Sequence, residues 1–186
     1  MSVKVILISV FTIILCFPLI GFAQEHQEEH GDYQDMTEEF LHHRLSAGFG
    51  YTYIPKGADE STEEEGIFVP TLPIEYFYKF SHQWSAGVMV DFELSQYVIP
   101  FLDDFLERHN TLIIGAVGLY EPIIYWGIYA GAGIEIEKHK NLAVLKIGTD
   151  YEFQIGKNWD ISPSLTFDYK EEYTSWSLMV SLGKHF

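Results

Sequence analysis

The end of the chain alternates. Trp176, Leu178, Val180, Leu182 and Phe186 fall on one side, and Ser177, Met179, Ser181, Gly183 and His185 on the other. A period of two is the mark of a β-strand with one apolar and one small or polar face. The same alternation begins at Arg44 and predicts eight strands, at about 44–54, 67–80, 84–95, 111–120, 124–137, 142–155, 159–170 and 174–186. The connections near 81–83, 121–123 and 156–158 are tight, whereas 55–66 and 96–110 are longer, and the short links at 138–141 and 171–173 fall at the same end as the long ones. Tight turns at one end, longer loops at the other and an even strand number predict an all-β fold, an eight-stranded antiparallel transmembrane β-barrel of the outer-membrane type.

Alternation alone does not say which face meets solvent, because a soluble barrel and a membrane barrel differ only by inversion. Three features favour the membrane. Gly and Ser recur on the polar face, where small residues suit the crowded interior of eight strands. Trp84, Trp126 and Trp159 each sit at or near the first strand position after a tight turn, with Phe186 beside them, and indole rings prefer the membrane interface. These four residues are the expected interface anchors. The chain also closes on a Phe after a secretory signal.

That signal is the opening stretch. Lys4 supplies a positive n-region, Val5 to Leu19 an apolar h-region, and Gly21-Phe22-Ala23 a small-residue cleavage site. Residues 1–23 are therefore read as a signal peptide. A retained anchor is the alternative, opposed by the short run and by Pro18. Cleavage removes Cys16, the one cysteine, so the remaining chain can form no disulfide. Residues 24–43 are acidic and His-rich and are read as a disordered periplasmic tail. Residues 44–186 form the barrel domain, with both termini periplasmic. The net charge of −16 argues against nucleic acid and anionic headgroups as partners. Outer-membrane lipid is the expected surround.

The stretch "GIEIEKHKNLAVLKIGTDYEFQIGKNWDISPSLTFDYKEEYTSWSLMVSLGKHF", with "VPTLPIEYFYKFSHQWSAGVMVDFE" upstream, resembles small outer-membrane β-barrel proteins of the Bacteroidetes type. The resemblance covers most of 44–186. It implies a barrel and an outer-membrane address, and it transfers no functional residue. The terminal Phe186 resembles the signature by which outer-membrane assembly machinery recognises its clients. Lys184 departs from that signature, which usually carries an aromatic or apolar residue there.

The polar face carries the candidate chemistry. Glu75, Asp91, Glu93, Glu135, Glu137, Asp150, Glu152, Asp160 and Asp168 point inward on this pattern, facing Arg44, Lys79, Lys146 and Lys170. One reading is a salt-bridged plug, since buried charges need partners and eight strands leave no wide pore. The other uses the carboxylate excess to share protons or hold cations, giving a narrow cation- or proton-conducting channel. The tail offers His26, His30, His42 and His43 among acids, a possible weak divalent-metal site. A lipid-modifying enzyme is a third class. It would need a nucleophile beside a His base, and His109, His139, Ser95 and Ser175 near the outer rim are the candidates. No G-x-S-x-G elbow is present, "GAG" at 131–133 lies inside a strand rather than before a helix, and no cofactor is expected. Phe101, Leu102, Phe105 and Leu106 have helical spacing and predict a short amphipathic helix at 101–109 over the barrel mouth. The expectation is a structural or binding role without catalysis.

Overall fold

The computed structural model describes residues 41–58, 65–101, 104–138 and 140–186. The expected signal peptide, residues 24–40 of the expected tail, and His139 lie outside the described residues. Eleven strands are described. They are β1 (His43–Ala58), β2 (Glu65–Lys79), β3 (Trp84–Glu93), β4 (Gln96–Phe101), β5 (Asp104–His109), β6 (Leu112–Ile123), β7 (Trp126–Ile136), β8 (Leu142–Tyr151), β9 (Phe153–Gly156), β10 (Trp159–Lys170) and β11 (Thr174–His185). Eight staves build the ring: β1, β2, β3, β6, β7, β8 with β9, β10 and β11. The last stave pairs antiparallel with the first, from Arg44 opposite His185 to Tyr53 opposite Trp176. The sheet is thus closed, and no stave has a free edge.

One stave is interrupted. β8 pairs with β10 as far as Asp150 opposite Ser164, and β9 resumes at Phe153 opposite Ile161. Pro163 lies between those two positions on β10. It has no N–H for the ladder, which explains the break without a change of register.

The faces decide between the two kinds of barrel. On β8, Leu145 and Ile147 are 59% and 53% exposed while Lys146 between them is 3% exposed. Exposed apolar residues cover the outside on every stave, among them Leu45, Phe49, Ile74, Val88, Ile128, Leu178 and Val180. Charges and hydroxyls line the inside. This inversion is stable only where the surround is apolar, so the barrel is of the transmembrane kind.

Glycines make the interior fit. A Cβ on Gly148 would run into the Tyr129 ring, one on Gly127 into the Asp150 carboxylate, and one on Gly183 into the Asp160 carboxylate. Two tight turns use residues in the left-handed region, Tyr125 (φ 70°) and Asn158 (φ 65°). Asn tolerates that conformation, whereas Tyr adopts it at a cost the hairpin must hold. Tyr125 therefore belongs to the turn rather than to the inward face of β7, where alternation places it.

The helix expected at 101–109 is not formed. Residues 96–101 and 104–109 are paired as antiparallel strands of a hairpin, with Gln96 opposite His109 and Ile99 opposite Leu106. The four-residue apolar set fits both periods, a known ambiguity of short runs. The pairing of β4 with β5, and of Val98 with Ala58, decides against the helix. The hairpin folds over the long-loop end and pairs with β1 through Val98 and Ala58. Tyr97 and Ile99 join Ile54, Val69, Leu142 and Tyr173 in one buried apolar cluster. This cluster is a lid on the lumen.

Candidate functional site: a sealed ion-paired lumen

The strand period puts all nine predicted carboxylates and all four predicted cations on the inner face, and register then sorts them into three layers. At the tight-turn end, Arg44 on β1 reaches across β11 to β10. Its Nη2 donates to Asp160 Oδ1 at 2.7 Å and to Ser162 Oγ at 2.6 Å, and its Nε donates to Asp160 Oδ2 at 3.1 Å. Gly183 lies opposite Asp160 on the intervening strand, and its missing side chain leaves room for the Asp160 carboxylate. Arg44 also meets Glu152 Oε1 at 3.1 Å and Glu75 Oε2 at 3.7 Å. Ser46 donates to Glu75, and His185 Nε2 lies 3.0 Å from Asp160 Oδ2. Lys79 pairs with Glu121 near the rim.

The middle layer centres on Lys146. Its Nζ lies 2.9 Å from Asp91 Oδ2 and 2.8 Å from Asp168 Oδ1. Beside it Tyr129 and Thr166 hydroxyls bond at 2.5 Å, and Phe77, Met89, Val117 and Leu119 pack with the Tyr129 ring. Asp150 lies between this layer and that of Arg44. Its Oδ1 is buried without a hydrogen-bond partner among the described residues.

The third layer lies under the hairpin lid. Lys170 Nζ is 2.7 Å from Glu135 Oε2 and 3.4 Å from Glu93 Oε1. Tyr97 donates to Glu93 and Tyr173 donates to Glu135, each at 2.6 Å. Burial raises both phenols well above their ordinary range, and the adjoining Glu93 raises them further, so each stays a proton donor. Arg108 of β5 is fully buried, its Nε 3.1 Å from Glu135 Oε1 and its Nη1 3.7 Å from Glu137 Oε2. The Nη1 also donates to the Lys140 carbonyl at 2.6 Å. Lys140 in turn pairs with Glu172.

Sequence patterning misses Arg108, Tyr97, Tyr173, Glu121 and Glu172 as lumen residues. Both Arg108 and Tyr97 sit in the connection 96–110, Arg108 within the helix expected at 101–109. Their only local signal is the alternation of Tyr97 with Ile99, which the hairpin uses.

The remaining candidates are placed as follows. Trp84, Trp126 and Trp159 each open a stave after a tight turn and, with Phe186, point outward at that end. Lys184 lies over the Trp159 ring. His43 begins β1 instead of ending a tail. Its Nδ1 is 2.7 Å from the Tyr76 hydroxyl, and its ring stacks on Phe186. The Nδ1 of His42 is 2.8 Å from the Lys79 carbonyl. His26 and His30 lie outside the described residues. Ser175 is buried inside the lumen, away from the outward wall where a lipid-acting nucleophile would sit. His139 falls outside the described residues, so that dyad has no described geometry.

The closed ring, its inverted faces and its filled interior define an eight-stranded antiparallel β-barrel of the outer-membrane type. No protein-family model matches the chain, and no curated protein sequence matches it. Solved structures do. The attachment invasion locus protein Ail of Yersinia pestis is 13% identical, with a TM-score of 0.51, over 79% of this chain and all of that one. The same protein in complex with the heparin analogue sucrose octasulfate is 14% identical, with a TM-score of 0.51, over 79% of this chain and all of that one. Neisserial surface protein A is 12% identical, with a TM-score of 0.53, over 77% of this chain and 97% of that one. At such identities the likeness is one of fold.

Proposed function

We propose that this protein is an outer-membrane barrel whose role is structural or binding, exerted through its exterior and loops rather than through its lumen. The observation that carries the reading is the continuous set of ion pairs from Arg44 through Lys146 to Lys170 and Arg108, closed by the β4–β5 hairpin. A conducting pore needs a water path, and each layer here spends its cation on carboxylates that face it. The tight-turn end holds a cavity of only about 20 Å³, room for about one water.

In this reading the tight turns, both termini and the Trp84–Trp126–Trp159 ring face the periplasm, and the outward apolar residues contact outer-membrane lipid. The long-loop end faces outward. Its first loop contains Asp59, Glu60, Glu63, Glu64 and Glu65. Such a loop repels polyanions, so a sulfated ligand of the kind seen on Ail is disfavoured. The resemblance to Bacteroidetes-type barrels is consistent with this reading and adds no ligand.

Fractionation with surface proteolysis tests it. The protein should sediment with outer membranes, and protease added to intact cells should cut within 56–66. Recovery of the folded chain as a soluble periplasmic monomer defeats the proposal.

A further inference from the structure

We infer that the tight-turn end of the lumen is a binding site for a divalent transition metal such as Zn²⁺, held by His185 Nε2, Glu152 Oε2 and Asp160 Oδ2. The inference goes beyond the sealed-barrel reading and stands on a separate set of side chains from the acidic tail.

The three ligand atoms all lie within 4.8 Å of one another. His185 Nε2 is 3.0 Å from Asp160 Oδ2 and 3.4 Å from Glu152 Oε2. Ligand atoms about 2.0–2.2 Å from one tetrahedral zinc lie about 3.3–3.5 Å apart. The two separations from His185 Nε2 are therefore near those within a metal shell. One imidazole and two carboxylates form a donor set that suits a borderline cation.

Arg44 approaches from the other side. It takes Glu152 Oε1 and Asp160 Oδ1, and its Nε also reaches Oδ2 at 3.1 Å. A guanidinium in that place orients both carboxylates and leaves Glu152 Oε2 turned toward His185, as outer-shell partners of metal ligands do. Its own charge opposes a cation. Four carboxyl groups surround it, however, because Glu75 and Asp150 stand in the same field as Glu152 and Asp160. Asp150 is 92% buried by its 8% exposure, and its Oδ1 has no hydrogen-bond partner among the described residues. Against four carboxyl groups a single arginine supplies one positive charge, and a divalent ion would add two.

The site is reachable. The His185 and Glu152 side chains are partly exposed, whereas that of Asp160 is fully buried. The small cavity beside them is lined by His42, Glu121, Glu152 and His185. It has room for about one water, which can complete a four-coordinate shell.

The test is zinc titration of the full chain folded in detergent micelles, followed by calorimetry, with circular dichroism confirming that every variant is folded. His26→Gln with His30→Gln removes the competing tail ligands. In that background one equivalent of zinc should bind. Adding His185→Gln or Glu152→Gln should each weaken binding at least about ten-fold. Cobalt substituted for zinc should give visible d–d bands that both variants lose. If His185→Gln does not fold, Glu152→Gln decides. Absence of zinc binding overturns the inference, and so does binding that the tail variant abolishes or that Glu152→Gln leaves intact. A barrel that reaches the outer membrane and fails to bind zinc overturns this site alone and leaves the sealed-barrel reading standing.

Discussion

Lys146→Met should destabilise the folded barrel by about 3–5 kcal/mol, the usual consequence of stranding one side of a buried ion pair. The side chain is 3% exposed, and its ammonium lies within 2.9 Å of both Asp91 and Asp168. Met keeps most of the apolar volume, so the loss isolates the charge. Two carboxylates then share the middle of the lumen with no cation between them. Reversible urea unfolding in micelles or vesicles measures the change. Adding Asp91→Asn and Asp168→Asn to Lys146→Met should recover most of the loss, because replacing a whole buried ion group is often close to neutral. If Lys146→Met alone unfolds at the wild-type midpoint, the middle layer does not hold the lumen together.

Ile147→Arg should destabilise the barrel by about 2–4 kcal/mol, the cost of a lipid-facing charge near the midplane. Ile147 is the next residue along β8, points outward, and lies opposite Ala130 and Phe167. Ile147→Leu keeps the face apolar and should be nearly silent. Gly148, one step further, separates the two kinds of penalty. Its Cβ position is filled by the Tyr129 ring. Gly148→Leu should therefore cost about as much as Gly148→Arg, through overpacking rather than charge. Equal tolerance of Arg and Leu at Ile147 would reverse the assignment of faces.

The fold was legible because a barrel stave writes both of its faces into a period of two. Trp159, Ile161, Leu165, Phe167 and Tyr169 against Asp160, Ser162, Ser164, Thr166 and Asp168 is enough to place β10. Its inverted setting needed the tryptophans as well, since alternation is blind to which face is wet. Pairing was not legible. Arg44 and Asp160 are 116 residues apart. They meet because β11 closes between their strands and because Gly183 leaves the way open. Stagger around the ring fixes such partnerships, and no local pattern encodes it. The lid was misread for a different reason. A short apolar run fits two periods, and tertiary pairing with Ala58 settled the choice. Arg108, the most deeply buried cation of the upper layer, was hidden by that same ambiguity.

Reading the sealed lumen as the reason this barrel works through its exterior rests on one physical property, which planar-bilayer recording measures directly. The folded chain, inserted from detergent into a bilayer bathed in 1 M KCl (Debye length about 3 Å), should give no discrete conductance steps, because on the proposed reading three ion-paired layers and the hairpin lid close the water path. Regular single-channel steps from the unaltered protein would contradict the account.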